Sequence, residues 1–369
     1  MPVNRGLVVA AARLANPEMS EMVPELVFAF VLVGTILWIS IPFIPAYWEL
    51  VRPKDASPLN AVGQDSGLLT FFAASFSARM TAEGLLGTAV PPRLSDGSLV
   101  RVHNLMTPLA PTRTPITDVV VLMDDTPLPA GTSVATECLA RRTFHGGPNS
   151  SYRAILGQRD IKLAVGSSVL RWVHASGRLE AARGTILSGR ATADREILLE
   201  SGVRFDRLDA PLVRVVGGGG TLETPIMPMS SYAPFTPENA IALGANYWRV
   251  RGDLEIPPDT SLGGSLIVIG NVVIGAGARV QGSIKAHGTM HVKPGAVVMG
   301  SITARGRLVI EDGARLSGPV ISESVVVVGA AVVGMANTRT TVAAPRVTLR
   351  PGATVYGAVM AADGGASVK

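Results

Sequence analysis

Histidines are the residues of this chain best suited to proton transfer. The five are His103, His145, His174, His287 and His291. A neutral histidine acts as a general base near pH 7 when a substrate proton lies within hydrogen-bond reach. The strand register derived below turns His174, His287 and His291 outward, which is typical of surface histidines. The spacing of four between His287 and His291 suits a metal pair on a helix, but both fall on extended repeats with a glycine between them.

Two further patterns lack the residues that their chemistry needs. A run of four glycines at 217–220 follows an apolar stretch, as a phosphate-binding loop does, but no Gly-Lys-Ser/Thr follows it. Glu311 and Asp312 are adjacent, and neighbouring residues of a strand face opposite sides, so they do not form a carboxylate pair. The sequence therefore predicts no catalytic, cofactor-binding or metal site, and we expect that the protein is not an enzyme.

Composition excludes several other classes of site. The single cysteine, Cys138, rules out an intrachain disulfide and a multi-cysteine metal site. The net charge of +5 and the isoelectric point near 9.6 are compatible with a position near anionic lipid headgroups, although arginines dispersed over soluble faces are the commoner cause. The sequence has no basic cluster interleaved with aromatic residues, so we expect no binding to nucleic acid. The 40 glycines and 5% aromatic residues favour a repetitive structure over a large mixed core.

The elements that must position these residues are short repeats in the C-terminal third. Each repeat begins with an aliphatic residue and two variable residues, which are usually followed by Gly-Ala. One further residue, a second aliphatic residue, one more residue and a final Gly complete it. The central positions are 259, 277, 295, 313, 329 and 352, and Asp259 marks a degenerate first copy. The period is 18 over the first four copies, then 16 and 23, which indicates one short coil and one insertion. A fixed short period is the signature of stacked supersecondary units.

A hexad within each period indicates the architecture. The aliphatic positions recur as Ile256, Leu262, Val268, Ile274, Val280, Ala286, Val292, Val298, Ala304, Ile310 and Leu316. Three hexads per turn predict a triangular coil with even-numbered residues inside, alternating with polar residues at strand period. Gly282, Gly300 and Gly318 recur at one point of each coil, where we expect a corner with positive φ. The predicted fold class is all-β, a triangular β-helix (β-solenoid) with 18-residue coils.

A second set of repeats lies upstream. Gly166, Gly184 and Gly202 are again 18 residues apart, and here the odd-numbered residues are predicted to face inward. Gly131 fits an earlier coil, whereas Gly147 fits poorly. Residues 216–247 lose the pattern and contain four prolines, which predicts a linker or a long excursion. The chain is therefore expected to hold two solenoid blocks.

A long apolar segment precedes both blocks. Residues 26–48, from Leu26 to Trp48, contain no Asp, Glu, Lys or Arg. As a helix they measure about 35 Å, which exceeds a hydrocarbon core of about 30 Å. The sequence predicts a single N-terminal transmembrane helix here, which Pro42 and Pro45 kink or end early.

Flanking charges and periodicity extend this prediction. Arg52 and Lys54 follow the span and Arg13 precedes it, which favours a solenoid on the cytoplasmic side of a bacterial inner membrane. Residues 67–83 carry apolar residues four apart, the spacing of one helical stripe. The stripe consists of Leu68, Phe72, Phe76 and Met80. We expect this helix to pack on the end of the solenoid or to lie on the membrane surface.

The C-terminal block, about residues 250–360, resembles the bactofilins, the polymer-forming cytoskeletal proteins of bacteria. The segments that carry the resemblance are 272–284, VVIGAGARVQGSI, and 291–302, HVKPGAVVMGSI. The resemblance implies a right-handed β-helix that assembles end to end into nucleotide-free filaments at the membrane, without a cofactor. We expect the end contact on the last coil, at Leu349, Val355 and Val359. The added upstream block departs from the minimal family pattern and could cap an end that polymerisation needs open.

Together these features predict the organisation of the whole chain. The predicted parts are an N-terminal segment (1–25), a transmembrane helix (26–48), a juxtamembrane linker and helix (49–117), a first block (118–215), a linker or excursion (216–247), a second block (248–360) and a tail (361–369).

Three functional hypotheses fit this organisation. The first is a membrane-anchored, bactofilin-like scaffold that self-associates or organises envelope proteins. The second is an accessory subunit of a membrane complex for polysaccharide synthesis or export, with a membrane glycosyltransferase as partner. The third is an acyltransferase, because hexad repeats also build the left-handed solenoids of enzymes that resemble one another in placing a histidine base between subunits.

Overall fold

The computed structural model describes residues 17–44, 67–87, 90–111, 114–217 and 232–368. The chain divides into two compact units, Met1–Gly63 and Gln64–Lys369. In the first unit, helix α1 (Pro17–Ser40) is followed by a 3-10 turn at Ile41–Phe43. Pro42 in that turn has no backbone N–H to donate, so the α-helix ends early, as the sequence predicted.

Within the described ranges, no helix has the length and apolar character that crossing a membrane takes. The span predicted for residues 26–48 is therefore not supported, and its last residues, 45–48, lie outside the described part of the chain.

The second unit is a β-solenoid in two blocks, preceded by helix α2 (Gly67–Ala82). Block 1 comprises β1 (Val100–His103), β2 (Val119–Leu122), β3 (Ser133–Ala140), β4 (Phe144–His145), β5 (Ser151–Gly157), β6 (Ile161–Leu163), β7 (Ser168–Ala175), β8 (Arg178–Ala181), β9 (Ile186–Ala193), β10 (Glu196–Leu199) and β11 (Arg204–Val215). The predicted start of this block at residue 118 is too late, because β1 already pairs in parallel with β2.

Block 2 follows the 18-residue repeat. It comprises β12 (Ala233–Pro234), β13 (Ala240–Gly244), β14 (Tyr247–Arg251), β15 (Leu254–Ile256), β16 (Thr260–Leu262), β17 (Ser265–Ile269), β18 (Val272–Ile274), β19 (Arg279–Val280), β20 (Ile284–Ala286), β21 (Met290–Val292), β22 (Val297–Val298), β23 (Ile302–Ala304), β24 (Leu308–Ile310), β25 (Arg315–Leu316), β26 (Val320–Ser322), β27 (Val325–Val328), β28 (Val332–Val333), β29 (Thr340–Ala344), β30 (Arg346–Leu349) and β31 (Thr354–Ser367). Strands β12 and β13 fall inside the interval 216–247, and the expected tail from residue 361 continues β31.

The interior register agrees with the sequence analysis in the regular coils of block 2 and in part of block 1. In block 2 the even-numbered hexad residues are buried, and Val280, for example, pairs with Val298 in the next coil. From β6 onward block 1 buries odd-numbered residues such as Leu163 and Leu187, until a register shift after Phe205 brings Leu208 into the core. Its earlier coils bury even-numbered Val134 instead, because one coil is a residue short. Burying the same position in every coil gives a continuous aliphatic core.

The corner at the centre of the repeat has its backbone in the left-handed region. Gly277, Gly295 and Gly313 have φ of +67°, +69° and +74°. Asp259, in the degenerate copy, takes the same conformation with φ of +53°, and so does Asn149 of block 1 with φ of +52°. Asparagine and aspartate tolerate this region better than other non-glycine residues do. In block 1 the corresponding corner therefore falls at Asn149. This explains why Gly147 fits the repeat poorly.

The expectation of positive φ at Gly282, Gly300 and Gly318 is wrong. These glycines are required by close stacking of the coils instead. A Cβ on Gly300 would lie 2.5 Å from the carbonyl carbon of Gly282, and a Cβ on Gly318 would lie 2.6 Å from that of Gly300. Such contacts involve backbone on both sides, so no side-chain rotation relieves them.

The two blocks meet through their last coils. Strand β11 of block 1 runs antiparallel to β31 of block 2, with Leu208 opposite Val359 and Val213 opposite Val355. We call this pairing the joint. One sheet therefore continues through both blocks in the order β1, β2, β3, β5, β7, β9, β11, β31, β29, β26, β23, β20, β17, β14, β13. At about 4.8 Å per strand this face is about 65–70 Å long.

Helix α2 covers an outer face of block 1 and not its end. Its buried side chains are Ala73, Phe76 and Met80, which pack on apolar residues that point outward from the strands. Phe76 lies with its ring centroid 5.7 Å from that of Trp172. Phe72, expected in the same stripe, is about half exposed, because the buried stripe is turned toward Ala73.

The stacking glycines give a direct test of coil packing. We expect Gly300→Ala to lower the free energy of unfolding by about 1–3 kcal/mol, because the added methyl group overpacks two stacked backbones. Gly263→Ala is the matched control, since a Cβ there meets nothing within 4 Å. Urea unfolding of the two variants beside the unmodified chain measures both changes, and equal stability of the two variants would contradict this account.

Candidate assembly interface

Side chains and backbone of both blocks interlock in the joint. Ser367 is buried and lies at the corner of block 1 that contains Val203. The Val203 N–H donates to Ser367 Oγ at 2.9 Å, and the Ser367 N–H donates to the Val203 carbonyl at 2.9 Å. Gly365 lies opposite Phe205, where a Cβ would approach the ring to 2.2 Å. The two coil ends thus satisfy each other's backbone and bury a continuous apolar contact.

One ion pair crosses the joint. Arg339, on the insertion between β28 and β29, donates to the carboxylate of Asp209 in β11. Asp209 is almost fully buried, whereas the Arg339 side chain is 40% exposed. Burial raises the pKa of Asp209, and the nearby Arg339 charge only partly opposes this. The joint therefore holds a carboxyl group whose charged form is disfavoured.

Titration of Asp209 should leave a measurable signature. Because its pKa is raised in the folded state, the fold binds this proton more tightly than the unfolded chain does. The free energy of unfolding therefore decreases as the pH rises to the pKa that Asp209 has in the folded state. This loss disappears as the pH falls toward the pKa of Asp209 in the unfolded chain. We expect the stability advantage of Asp209→Asn over the unmodified chain to be largest at pH 7 and to shrink toward pH 4.

Urea unfolding across this pH range measures the difference between the two proteins. Asp363→Asn, at an exposed position of β31, is the control for charge removal alone. A difference between Asp209→Asn and the unmodified chain that does not change with pH would contradict the assignment.

The first end of block 1 is closed by its own loop. Buried His103 accepts a hydrogen bond at Nδ1 from the Leu109 N–H at 2.9 Å, so its Nε2 carries the proton and donates to the Thr126 carbonyl at 3.0 Å. This arrangement holds the Leu109 side chain against the end of the core. On the edge of β1 that faces away from β2, the Val100 N–H donates to the Pro92 carbonyl at 3.0 Å. Sequence reasoning did not find this role, because it depends on a contact across a loop.

The first end of block 2 is built differently. Strands β13 and β14 form an antiparallel hairpin, and β14 stacks in parallel on β17. Trp248 and Ala240 of this hairpin pack against the core, together with Phe235. Among the described strands β13 pairs with β14 alone, so it is the outermost strand at this end.

The remaining histidines do not converge on one place. His287 is exposed, and His291 bonds to Glu311, which also lies 3.5 Å from Lys293. His145 is partly exposed on β4. The outward direction predicted for these block 2 histidines is confirmed, and in the described part of the chain no cluster of potential ligands is arranged to hold a metal.

His174 has the most structured surroundings of the outward histidines. Its Nδ1 lies 2.9 Å from Thr192 Oγ1, and its Nε2 lies 3.9 Å from Asp194. It lines an open groove of about 580 Å³ beside α2, with Ser176 and Asp194. Burial lowers the pKa of His174, which the charge of Asp194 partly offsets. The hydrogen bond ties the ring to its neighbouring strand, where the Thr192 hydroxyl also lies within reach of the Val173 carbonyl.

Cys138 lies inside block 1. The residue is fully buried, and burial raises the pKa of its thiol. We expect thiol reagents to leave Cys138 unmodified in the folded chain and to modify it after unfolding in urea. Met299→Cys in a Cys138→Ala background is the positive control, since Met299 is 49% exposed. Rapid modification of native Cys138 would contradict the described packing.

Comparison with known families agrees with the repeat. Residues 250–364 match the family model of the bactofilins, described as polymer-forming cytoskeletal. This confirms the resemblance identified over about residues 250–360. The curated proteins and the solved structures contain no match to the chain.

Proposed function

We propose that this chain is a structural protein of the bactofilin type, a rigid rod that self-associates and organises other proteins of the cell envelope. The observation that carries the proposal is the packing of the matched domain. Its coils bury one aliphatic residue at each interior position, so the solenoid is filled from end to end by side chains such as Ile274 and Leu316. A filled rod offers outer faces and ends for binding, which suits a scaffold better than a catalyst.

Block 1 changes how such a rod can assemble. It occupies the last coil of block 2, where Val355 and Val359 are fully buried by the joint. The expectation that Val355 and Val359 form the contact between molecules is therefore wrong, and so is that for Leu349, which lies beside Ser367 of β31 in its own block. Assembly through coil ends has to use a different end of this rod.

We propose further that the N-terminal segment brings the rod to the inner membrane, with the solenoid on the cytoplasmic side. Support comes from the charge-free residues 26–48 and from the excess of Arg52 and Lys54 over Arg13. Because Cys138 is buried, the test uses Met299→Cys in a Cys138→Ala background. A membrane-impermeant maleimide should modify it in cells only after the inner membrane is permeabilised, and modification in intact cells would reverse the assignment.

Self-association is tested on the full chain purified in mild detergent. We expect sedimentation equilibrium to give a mass that rises above that of one copy with concentration, and electron microscopy to show elongated particles. The physical reason is that an open coil end leaves backbone groups and apolar side chains that a second copy can cover. A mass of one copy at every concentration would remove the proposal of self-association.

A further inference from the structure

A second groove lies beside helix α2, on the side of the helix opposite the groove that contains His174. Its volume is about 470 Å³, within the range of about 300–1,000 Å³ that small-molecule sites occupy. Helix α2 forms one wall, and strands β7 and β9 of block 1 contribute to the other. We call it the α2 groove. It lies outside the domain that matches the bactofilins, which begins at residue 250.

Large apolar side chains line the α2 groove from both walls. Phe72 of α2 is 48% exposed, and Leu170 of β7 is 54% exposed. Between them Phe76 and Trp172 are buried, with ring centroids 5.7 Å apart. Two aromatic rings fixed by packing below two exposed apolar side chains make a preformed surface for an apolar ligand.

A bulge in β7 turns one wall of the groove outward. Strand β7 holds two residues, Leu170 and Arg171, where the paired strand β5 holds only Arg153. Both residues of the bulge are exposed. The next coil fixes this conformation, because a Cβ on Gly189 would lie 2.1 Å from the Arg171 carbonyl oxygen. Bulges commonly redirect side chains beside binding sites, and here the bulge presents an apolar and a basic side chain together.

The charge of the groove is positive. Three arginines and one glutamate line it, namely Arg79, Arg171, Arg190 and Glu137. The glutamate is already engaged, since its carboxylate lies 3.6 Å from the guanidinium of Arg153, which is not part of the lining. An anion that enters the groove therefore meets a surplus of guanidinium groups.

Two of these arginines are held in place, and the third is open. Arg79 donates to the carboxylate of Asp96, and the guanidinium carbon of Arg190 lies 5.1 Å from the centre of the Phe72 ring. Arg171 is exposed, and the described part of the chain provides no ion-pair partner for it. Guanidinium groups bind carboxylate and phosphate through paired hydrogen bonds, so Arg171 is suited to recognise either group.

We propose that the α2 groove binds an anionic amphiphile, a molecule with one apolar body and a phosphate or carboxylate head group. The body lies on Phe72, Leu170 and Trp172, and the head group accepts hydrogen bonds from Arg171 and Arg190. The groove on the other side of α2 has no arginine, phenylalanine or tryptophan among its described lining residues, so it lacks both halves of this recognition. This site goes beyond the proposed role as a scaffold.

Titration calorimetry on the full-length chain in mild detergent tests the ligand class. Octyl phosphate and octanoate represent the two head groups, and a titration into detergent alone corrects for partition into micelles. We expect one molecule of the preferred probe to bind each chain. Octyltrimethylammonium and inorganic phosphate should each bind about tenfold more weakly or less, because the first has the wrong charge and the second has no apolar body.

Two pairs of variants locate the site. Arg171→Gln should weaken binding of the preferred probe about tenfold, whereas Arg159→Gln removes an exposed arginine of the same block outside the groove and should leave binding unchanged. Ser75→Trp fills the groove and should abolish binding. Ala78→Trp is its matched control, because Ala78 is exposed on α2 and lines neither groove. Equal melting temperatures show that the variants fold.

Several results would overturn the site. These are no binding of either anionic probe, equal affinity for the cationic amphiphile, or binding that Arg171→Gln and Arg159→Gln change alike. If Ser75→Trp does not fold, the two arginine variants still decide. Sedimentation of the same samples measures self-association separately, so failure of this inference and failure of the proposed function are distinguishable.

Discussion

A coil of a β-solenoid is complete only when another coil lies on it, and the rest of this structure depends on that constraint. Interior Val280 is buried because Leu262 and Val298 occupy the same position in the coils on either side. Backbone N–H and C=O groups of each strand are satisfied in the same way by the neighbouring strand. A last coil lacks one neighbour, so two blocks create four ends, and each end exposes backbone groups and part of the core.

Two of these ends satisfy each other within one molecule. Strands β11 and β31 are both last strands of their blocks, and they pair antiparallel over most of their length. Because both belong to one chain, the contact forms without the loss of translational freedom that association between molecules costs. Buried Asp209 in this contact is paired with Arg339, so an ion pair also links the two blocks across the joint. Block 1 therefore acts as a built-in partner for block 2.

Local features of this fold could be predicted from the sequence, and non-local ones could not. The period and the interior residues follow from spacing, because each coil repeats the same environment. The joint pairs residues such as Leu208 and Val359, whose separation leaves no periodic signal. The hairpin of β13 and β14 lies where the repeat is interrupted, so nothing indicated a strand there. Gly300 was predicted as special for the wrong reason, since spacing shows where a glycine recurs and not whether conformation or stacking requires it.

The two ends left outside the joint differ in a way that gives the rod a direction. At the block 1 end, His103 positions Leu109 over the core with both ring nitrogens engaged, and prolines and arginines border the edge. At the block 2 end, Trp248 covers the core while the edge of β13 stays uncharged and apolar. Side chains thus cover the core at both ends. The two ends differ in the residues that border the exposed backbone edge. The block 2 edge is protected differently, because a bulge between Ala242 and Gly244 interrupts the pairing of β13 with β14.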